Sequence, residues 1–218
     1  MKNRKIIFVL GLLMTCGLAM TCCTKNDENT IALIGTEYYI GDILSVIPDS
    51  LQTSFSADFG SIPEGPVPPK IDGSYVVAPK LRVSSNLTEY EWPLQTVEPN
   101  MYMRFANQHN GIVKMDLNEA TETVTDTVFV CGNGSAFAVY FIENKSYEIE
   151  LGGQTYHAKV KRGIVMKGQV IEDGLKDFRY ATIIMKSEDD SNGLIAQYPQ
   201  GSYFIYKDGD GLAKREVW

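Results

Sequence analysis

Histidine is nearly absent from this 218-residue chain, which has two, alongside two tryptophans and four cysteines. His109 and His157 have no Cys, His or carboxylate at ligand spacing, so each reads as a solvated side chain rather than a metal ligand or catalytic base. Cys16, Cys22 and Cys23 fall in the first two dozen residues, which leaves Cys131 alone in the body and excludes a disulfide framework. Cys131 ends the apolar run Val128-Phe129-Val130 and reads as a small buried hydrophobe. No nucleophile elbow is present. Asp208-Gly-Asp210-Gly lacks the earlier ligand and the later Glu of a calcium loop, so it reads with Glu188-Asp189-Asp190 as a solvated turn. Gly132-Asn-Gly-Ser135 lies between two strand patterns, not before a helix, and marks a turn rather than a phosphate cradle. No pair of carboxylates is singled out for glycoside hydrolysis. The expectation is a non-enzyme without cofactor or metal.

Basic residues are also in deficit, 20 Lys and Arg against 27 Asp and Glu, for a net charge of −7. Loss of an N-terminal segment carrying Lys2, Arg4 and Lys5 takes the remainder to −10, a poor partner for nucleic acid. What is present is ordinary globular material, 44% hydrophobic and 22% charged, enough to bury a core.

The N-terminus is the most explicit part of the chain. Lys2, Arg4 and Lys5 precede an uncharged run, Ile6 to Met20, and then Ala19-Met20-Thr21-Cys22-Cys23. A basic region, an apolar stretch of this length and small residues leading to cysteine describe an export signal over 1–21 rather than a membrane anchor. The motif resembles the lipobox of bacterial lipoproteins. That resemblance implies cleavage before a cysteine carrying diacylglyceryl and acyl (palmitate-type) chains: Cys22, with Cys23 as the alternative and Cys16 a third position that would shorten the apolar run. Thr24-Lys-Asn-Asp-Glu-Asn29 resembles the signal that follows the lipidated cysteine in Bacteroides-type lipoproteins exposed on the cell surface. The implied location is the outer membrane, lipid-anchored and facing outward, with residues 22–36 as a polar tether.

Residues 37–218 read as one β domain, with 37–72 as a helix and proline-rich arm and 73–218 as a barrel. Pro48, Asp49 and Ser50 can start the one credible helix, Gly60 can end it, and Leu51, Phe55 and Phe59 form its apolar stripe. Ile62-Pro-Glu-Gly-Pro-Val-Pro-Pro69 reads as a stiff connector packed on the body. Period-2 patterns follow: Met101, Met103 and Phe105 share a face opposite Tyr102 and Arg104, and Val113, Met115 and Leu117 one opposite Lys114 and Asp116. Asn110-Gly111 between them signals a hairpin. Further strands are expected over 74–84, 124–131, 136–142, 147–151, 156–161, 164–171, 178–186 and 202–206. Turns are expected at 132–134, Glu143-Asn-Lys145, Gly152-Gly153, Asp173-Gly174 and 189–193. About ten short strands in sequential antiparallel order predict an all-β meander barrel, with a β-sandwich as the alternative. Together with the signal, tether and arm, this pattern resembles uncharacterised Bacteroides-type lipoproteins with lipocalin-like bodies.

Aromatic residues are plentiful on the strands. Phe105, Phe129, Phe137, Tyr140, Phe141, Phe178, Tyr180 and Tyr203 are the candidates for lining a ligand cavity, if the barrel is hollow rather than filled. The expected role is a non-catalytic module binding a small apolar molecule or a glycan. The alternatives are an accessory lipoprotein docking to another envelope protein and, third, a hydrolase.

Overall fold

The computed structural model describes residues 46–87, 94–119, 122–151, 154–188, 190 and 198–216. The export signal, Cys22 and Cys23, the tether, the turn expected at Gly152-Gly153 and all but Asp190 of the turn expected at 189–193 lie outside the described residues.

A single 3-10 turn at Asp49–Leu51 leads into helix α1 (Gln52–Phe59). Eleven strands follow: β1 (Gly73–Val77), β2 (Lys80–Ser85), β3 (Val97–Glu98), β4 (Met101–His109), β5 (Ile112–Glu119), β6 (Glu122–Asn133), β7 (Ala136–Leu151), β8 (Gln154–Ile171), β9 (Gly174–Glu188), β10 (Tyr203–Asp208) and β11 (Leu212–Arg215). The sheet is antiparallel throughout. Its order runs β11-β1-β4-β5-β6-β7-β8-β9-β10-β2-β3, and β11 also pairs with β9, so β11, β1 and β4 to β9 close into a ring. Strand β9 is shared along its length: Gly174–Lys176 meets β11, and Arg179–Ile183 meets β10. The end of the ring beyond that division carries β10, β2 and β3 as an added wall.

Several expected boundaries are corrected. The stretch 74–84 is two strands, because Pro79 has no N–H to give the ladder and the Ala78 N–H turns instead to the Asp208 carboxylate at 3.0 Å. Glu143-Asn-Lys145 is not a turn but the middle of β7, opposite Lys161 and Arg162. Residues 156–161 and 164–171 are likewise one strand, β8, with a register shift at Lys161/Arg162. Three strands reach 15 to 18 residues, so the strands are not all short, and β3 and β11 were not expected. The Asn110-Gly111 hairpin joins β4 to β5 as its residues require, both with positive φ.

The sheet buries both faces over much of β6 to β10. Inside the ring lie Tyr75, Met101, Met103, Phe105, Met115, Phe137, Phe141, Met166, Phe178 and their neighbours. Outside, Phe129, Cys131, Ala138, Tyr140, Val165, Ala181, Ile183, Tyr203 and Ile205 form a second core. Helix α1 and the preceding Val46-Ile47 cover that outer core. Phe55 and Phe59, one turn apart, are wholly buried, stack at 4.9 Å, and Phe55 meets Tyr203 edge-on at 5.5 Å. Gly60 ends the helix at φ 82, where its N–H reaches Ser56 O at 2.9 Å. Arg179 donates to the last carbonyls, Asp58 O and Phe59 O, and Lys167 Nζ donates to Ser61 O at 2.7 Å, cations placed at the negative end of the helix. The proline arm then runs along β6, where Gly132 N donates to Gly65 O at 3.0 Å and the Cys131 thiol lies 3.4 Å from Pro63 O. Cys131 is fully buried, as expected of it.

Candidate binding site at the open end of the ring

The eight aromatics expected to line a cavity do not share one. Phe105, Phe137, Phe141, Phe178 and Tyr180 point into the ring, while Phe129, Tyr140 and Tyr203 lie in the outer core beneath α1. All eight are buried. Methionines and phenylalanines from facing strands fill the ring below its open end. A recess bounded by Leu117, Glu119, Val124, Phe141, Glu143, Arg162, Ile164 and Tyr180 encloses about 10 Å3, room for about one water molecule.

That recess is the floor of a charged mouth. Alternation along each strand builds it, since residues two apart share a face. Two positions beyond Leu117 on β5 stands Glu119; beyond Phe141 on β7 stand Glu143 and then Lys145; two before Ile164 on β8 stands Arg162. Strands β2 and β3 add Lys80, Arg82 and Glu98 from the added wall. Lys80, only 1% exposed, forms an ion pair with Glu119 and so ties β2 to the rim of β5. Arg82, 7% exposed, pairs with Glu98. Arg162 brings both Nε, at 2.9 Å, and Nη2 to one oxygen of Glu143.

Two tyrosines stand among these charges. The rings of Tyr180 and Tyr206 stack at 5.6 Å, and the Lys80 ammonium lies 4.5 Å from the Tyr206 centroid on the same assembly. Arg82 lies over Phe204 at 5.4 Å.

Desolvation sets the titration of the mouth. Burial draws Lys80 down to about 8 against the attraction of Glu98, and burial with the nearby Arg162 draws Lys145 to about 8. Burial, partly offset by the Thr127 N–H at 2.7 Å, raises Asp126, and Glu143 adds to the rise. Burial pushes the Tyr206 phenol up to about 12. Such a mouth offers carboxylate acceptors, guanidinium and ammonium donors and aromatic faces over an apolar floor.

Sequence reasoning passed over these residues. The signal was available: Glu143 falls in phase with Phe137, Val139 and Phe141, and Arg162 with Ile164 and Met166, and a charge in the apolar phase points inward. The other residues singled out by sequence fall elsewhere. His109 and His157 are exposed, and Arg104 is an exposed cation paired with Asp116 at 2.5 Å. Asp208 is corrected: it is 1% exposed, and its carboxylate accepts the N–H groups of Ala78, Asp210 and Leu212 at 3.0 to 3.2 Å. Asp210 is exposed and reaches Lys214 at 2.9 Å.

Among the described residues no group of three or more His, Cys, Asp or Glu is placed to hold a metal ion, and no helix is long and apolar enough to cross a membrane. Comparison with known proteins finds no matching family, no similar curated protein and no similar solved structure.

Proposed function

We propose that this is an exported lipoprotein, held on the outer membrane by acyl chains at Cys22 or Cys23 and facing outward, whose lipocalin-like barrel is a non-catalytic module that binds a glycan at its mouth. One observation carries the ligand side of this reading: desolvated ion pairs and stacked tyrosines converge over an apolar floor at one end of an otherwise filled ring. Sugar hydroxyls match that mixture of acceptors and donors, whereas a purely apolar ligand would need the interior that the phenylalanines occupy. Glu119, Glu98 and Glu143 each engage a cation, an arrangement suited to holding a ligand rather than donating protons to one.

Intact mass of the protein from membranes tests the anchor. Diacylglyceryl and acyl additions lost in Cys22→Ser, or in Cys23→Ser, support it, and an unmodified N-terminus overturns it. Native mass spectrometry after incubation with glycan extracts tests the ligand. A discrete adduct that Glu143→Gln weakens supports the mouth, and a spectrum without adducts overturns it.

A second reading, an accessory lipoprotein docking to another envelope protein, draws on Leu94, just before the edge strand β3, and Val97, on it, 60% and 66% exposed. Cross-linking from Val97→Cys to a single envelope protein would favour it over glycan binding.

A further inference from the structure

The wall of the ring is not closed along its whole height. The β6–β7 ladder runs from Asn133↔Ala136 only to Phe129↔Tyr140. Beyond that pair β6 continues to Glu122 against β5, and β7 continues to Leu151 against β8, so the two strands part toward the mouth. Val170 N on β8 donates to Ser135 O, and successive residues of an antiparallel strand turn their N–H and C=O to alternate neighbours. Odd-numbered residues of β7 therefore bond to β8, and Ile142, Asn144 and Ser146 turn their backbone groups to the side that β6 has left. No described strand lies there, no proline interrupts 141–151, and an edge of this length is a template for another strand.

The chain itself arrives beside that edge. Val46, the first described residue, is buried on the outer face, its carbonyl oxygen 2.5 Å from where a Cβ of Gly163 would stand. Gly163 is the register partner of Ile142, so Val46 lies one strand in from the free edge of β7. Just upstream runs Ile31-Ala-Leu-Ile-Gly-Thr-Glu-Tyr-Tyr-Ile40, in which Ile31, Ile34, Thr36, Tyr38, Tyr39 and Ile40 are β-branched or aromatic and Glu37 is the single charge. That is strand composition, free of proline and followed by Gly41, a residue suited to a change of direction.

We propose that residues 31–38 of this chain form the missing strand, pairing antiparallel with the free edge of β7, with Tyr38 opposite Asn144 and Thr36 opposite Ser146. The pairing starts four residues beyond Tyr140, the last β7 residue that β6 holds, and the segment leaves the sheet outward before it meets that pair. From there to Val46 is about two strand spacings, roughly 10 Å, which residues 39–45 span with slack. Charge and the parting of the strands select this register together. It sets Glu37 opposite Lys145, on the face that lines the mouth. Sliding the segment two residues toward β6 sets Glu37 against Glu143 and drives Ile40 to Tyr140, where Phe129 already stands. Sliding it two the other way carries Glu37 past Lys145, and a slip of one turns Glu37 to the outer face.

The added strand closes the side of the mouth and fastens the N-terminal segment to the body. With the anchor proposed above, residues 23–30 alone would separate Cys22 from the tip of β7, roughly 30 Å at full extension, which holds the mouth end toward the membrane. The pairing itself rests on the edge and the segment, and stands whether or not Cys22 is acylated.

Two measurements on the full-length chain test it. Asn144 is exposed, and bonded antiparallel partners sit about 5.5 Å apart at Cα, within disulfide reach. Mild oxidation of a variant carrying Tyr38→Cys and Asn144→Cys is expected to link residues 38 and 144 within one molecule. Peptide mapping identifies that link and separates it from any made to Cys22 or Cys23. Tyr38→Cys with Ser135→Cys, just before β7, is expected to give none. In the unaltered protein, residue-resolved hydrogen exchange is expected to find the Asn144 and Ser146 amides as slow as their odd-numbered neighbours, which β8 holds. Fast exchange at Asn144 and Ser146 overturns the proposal. So does a folded double-cysteine variant that forms no 38–144 link, or forms it only between two molecules, the result expected if a second copy fills the edge.

Discussion

The phenol of Tyr203 donates to the Asp58 carboxylate at 2.8 Å, across 145 positions of the chain, and Ser84 donates to the same oxygen at 2.5 Å. Helix α1 is thereby fastened to β10 and β2 at once. Tyr203→Phe keeps the ring packed against Phe55 and removes only the hydroxyl. The expected loss is about 1.5–3 kcal/mol, the range for a hydrogen bond to a charged group. Urea unfolding checks it, and a loss near zero would mean that the helix is held by its phenylalanines alone.

Stability should pass through a maximum near pH 10. Lys80, Lys145 and Lys167 are drawn down to about 8 in the folded protein from an ordinary value of 10.5. Between those values the unfolded chain holds more protons, so stability rises with pH through that window and then levels. Tyr203 and Tyr206 are pushed the other way, from 10.0 to about 12. Their contribution is whole below pH 10 and is lost as pH climbs through 12. Urea midpoints at about pH 7, 8.5, 10 and 11.5 trace both limbs, and Lys145→Met should flatten the rising one.

Glu119→Gln should cost more than removing the whole pair. It strands the buried Lys80 ammonium, for about 2–3 kcal/mol, below the figure for a fully buried pair because the Glu119 side chain stays 28% exposed. Lys80→Met with Glu119→Leu removes both charges and should lie within about 1 kcal/mol of the parent. Equal losses in the two variants would show that the pair contributes net stability.

Asp208 and Asp210 look alike in sequence and should behave differently. Asp208→Ala leaves the Ala78, Asp210 and Leu212 N–H groups without its carboxylate at the corner where β1 gives way to β2, and is expected to cost about 2–4 kcal/mol. Asp210→Ala removes an exposed pair with Lys214 worth about 0–1 kcal/mol. Thermal melts of the two variants decide it.

Where local signals and tertiary demand agree, the sequence was readable. Asn110-Gly111 supplies the positive φ that its turn needs, and Phe55 and Phe59 repeat at the spacing of a helix face. Where they diverge, it misled. Arg162-Gly163 breaks the pattern between two expected strands, yet Arg162 faces the mouth and Gly163 lies directly beneath Val46, whose carbonyl would come within 2.5 Å of any Cβ there. Glu143-Asn-Lys145 looks like a turn because its charges serve the mouth. The aromatics misled differently: Phe129 and Tyr140 share strands with Val130 and Phe141 but point to the opposite core, and which of two buried faces a residue joins is not written in its hydrophobicity. Asp208 resembled a solvated turn because its three backbone donors are brought to it only by the fold.

Burial on both faces of the sheet has a consequence for how the chain finds its pairing. In a sheet with one wet face, slipping a strand by one residue turns its apolar side chains into water, and that penalty guards the register. Along the inner stretches of β6, β7 and β8 a slip would only exchange one dry core for the other. The safeguard passes to residues that tolerate a single environment: Gly163, which nothing larger can replace beneath Val46, and the Glu143–Arg162 pair, which a slip would break as it turned Glu143 away from the mouth. A misaligned hairpin of β7 and β8 is thus rejected by two short checkpoints beside each other on β8, not by the pattern of the whole strand.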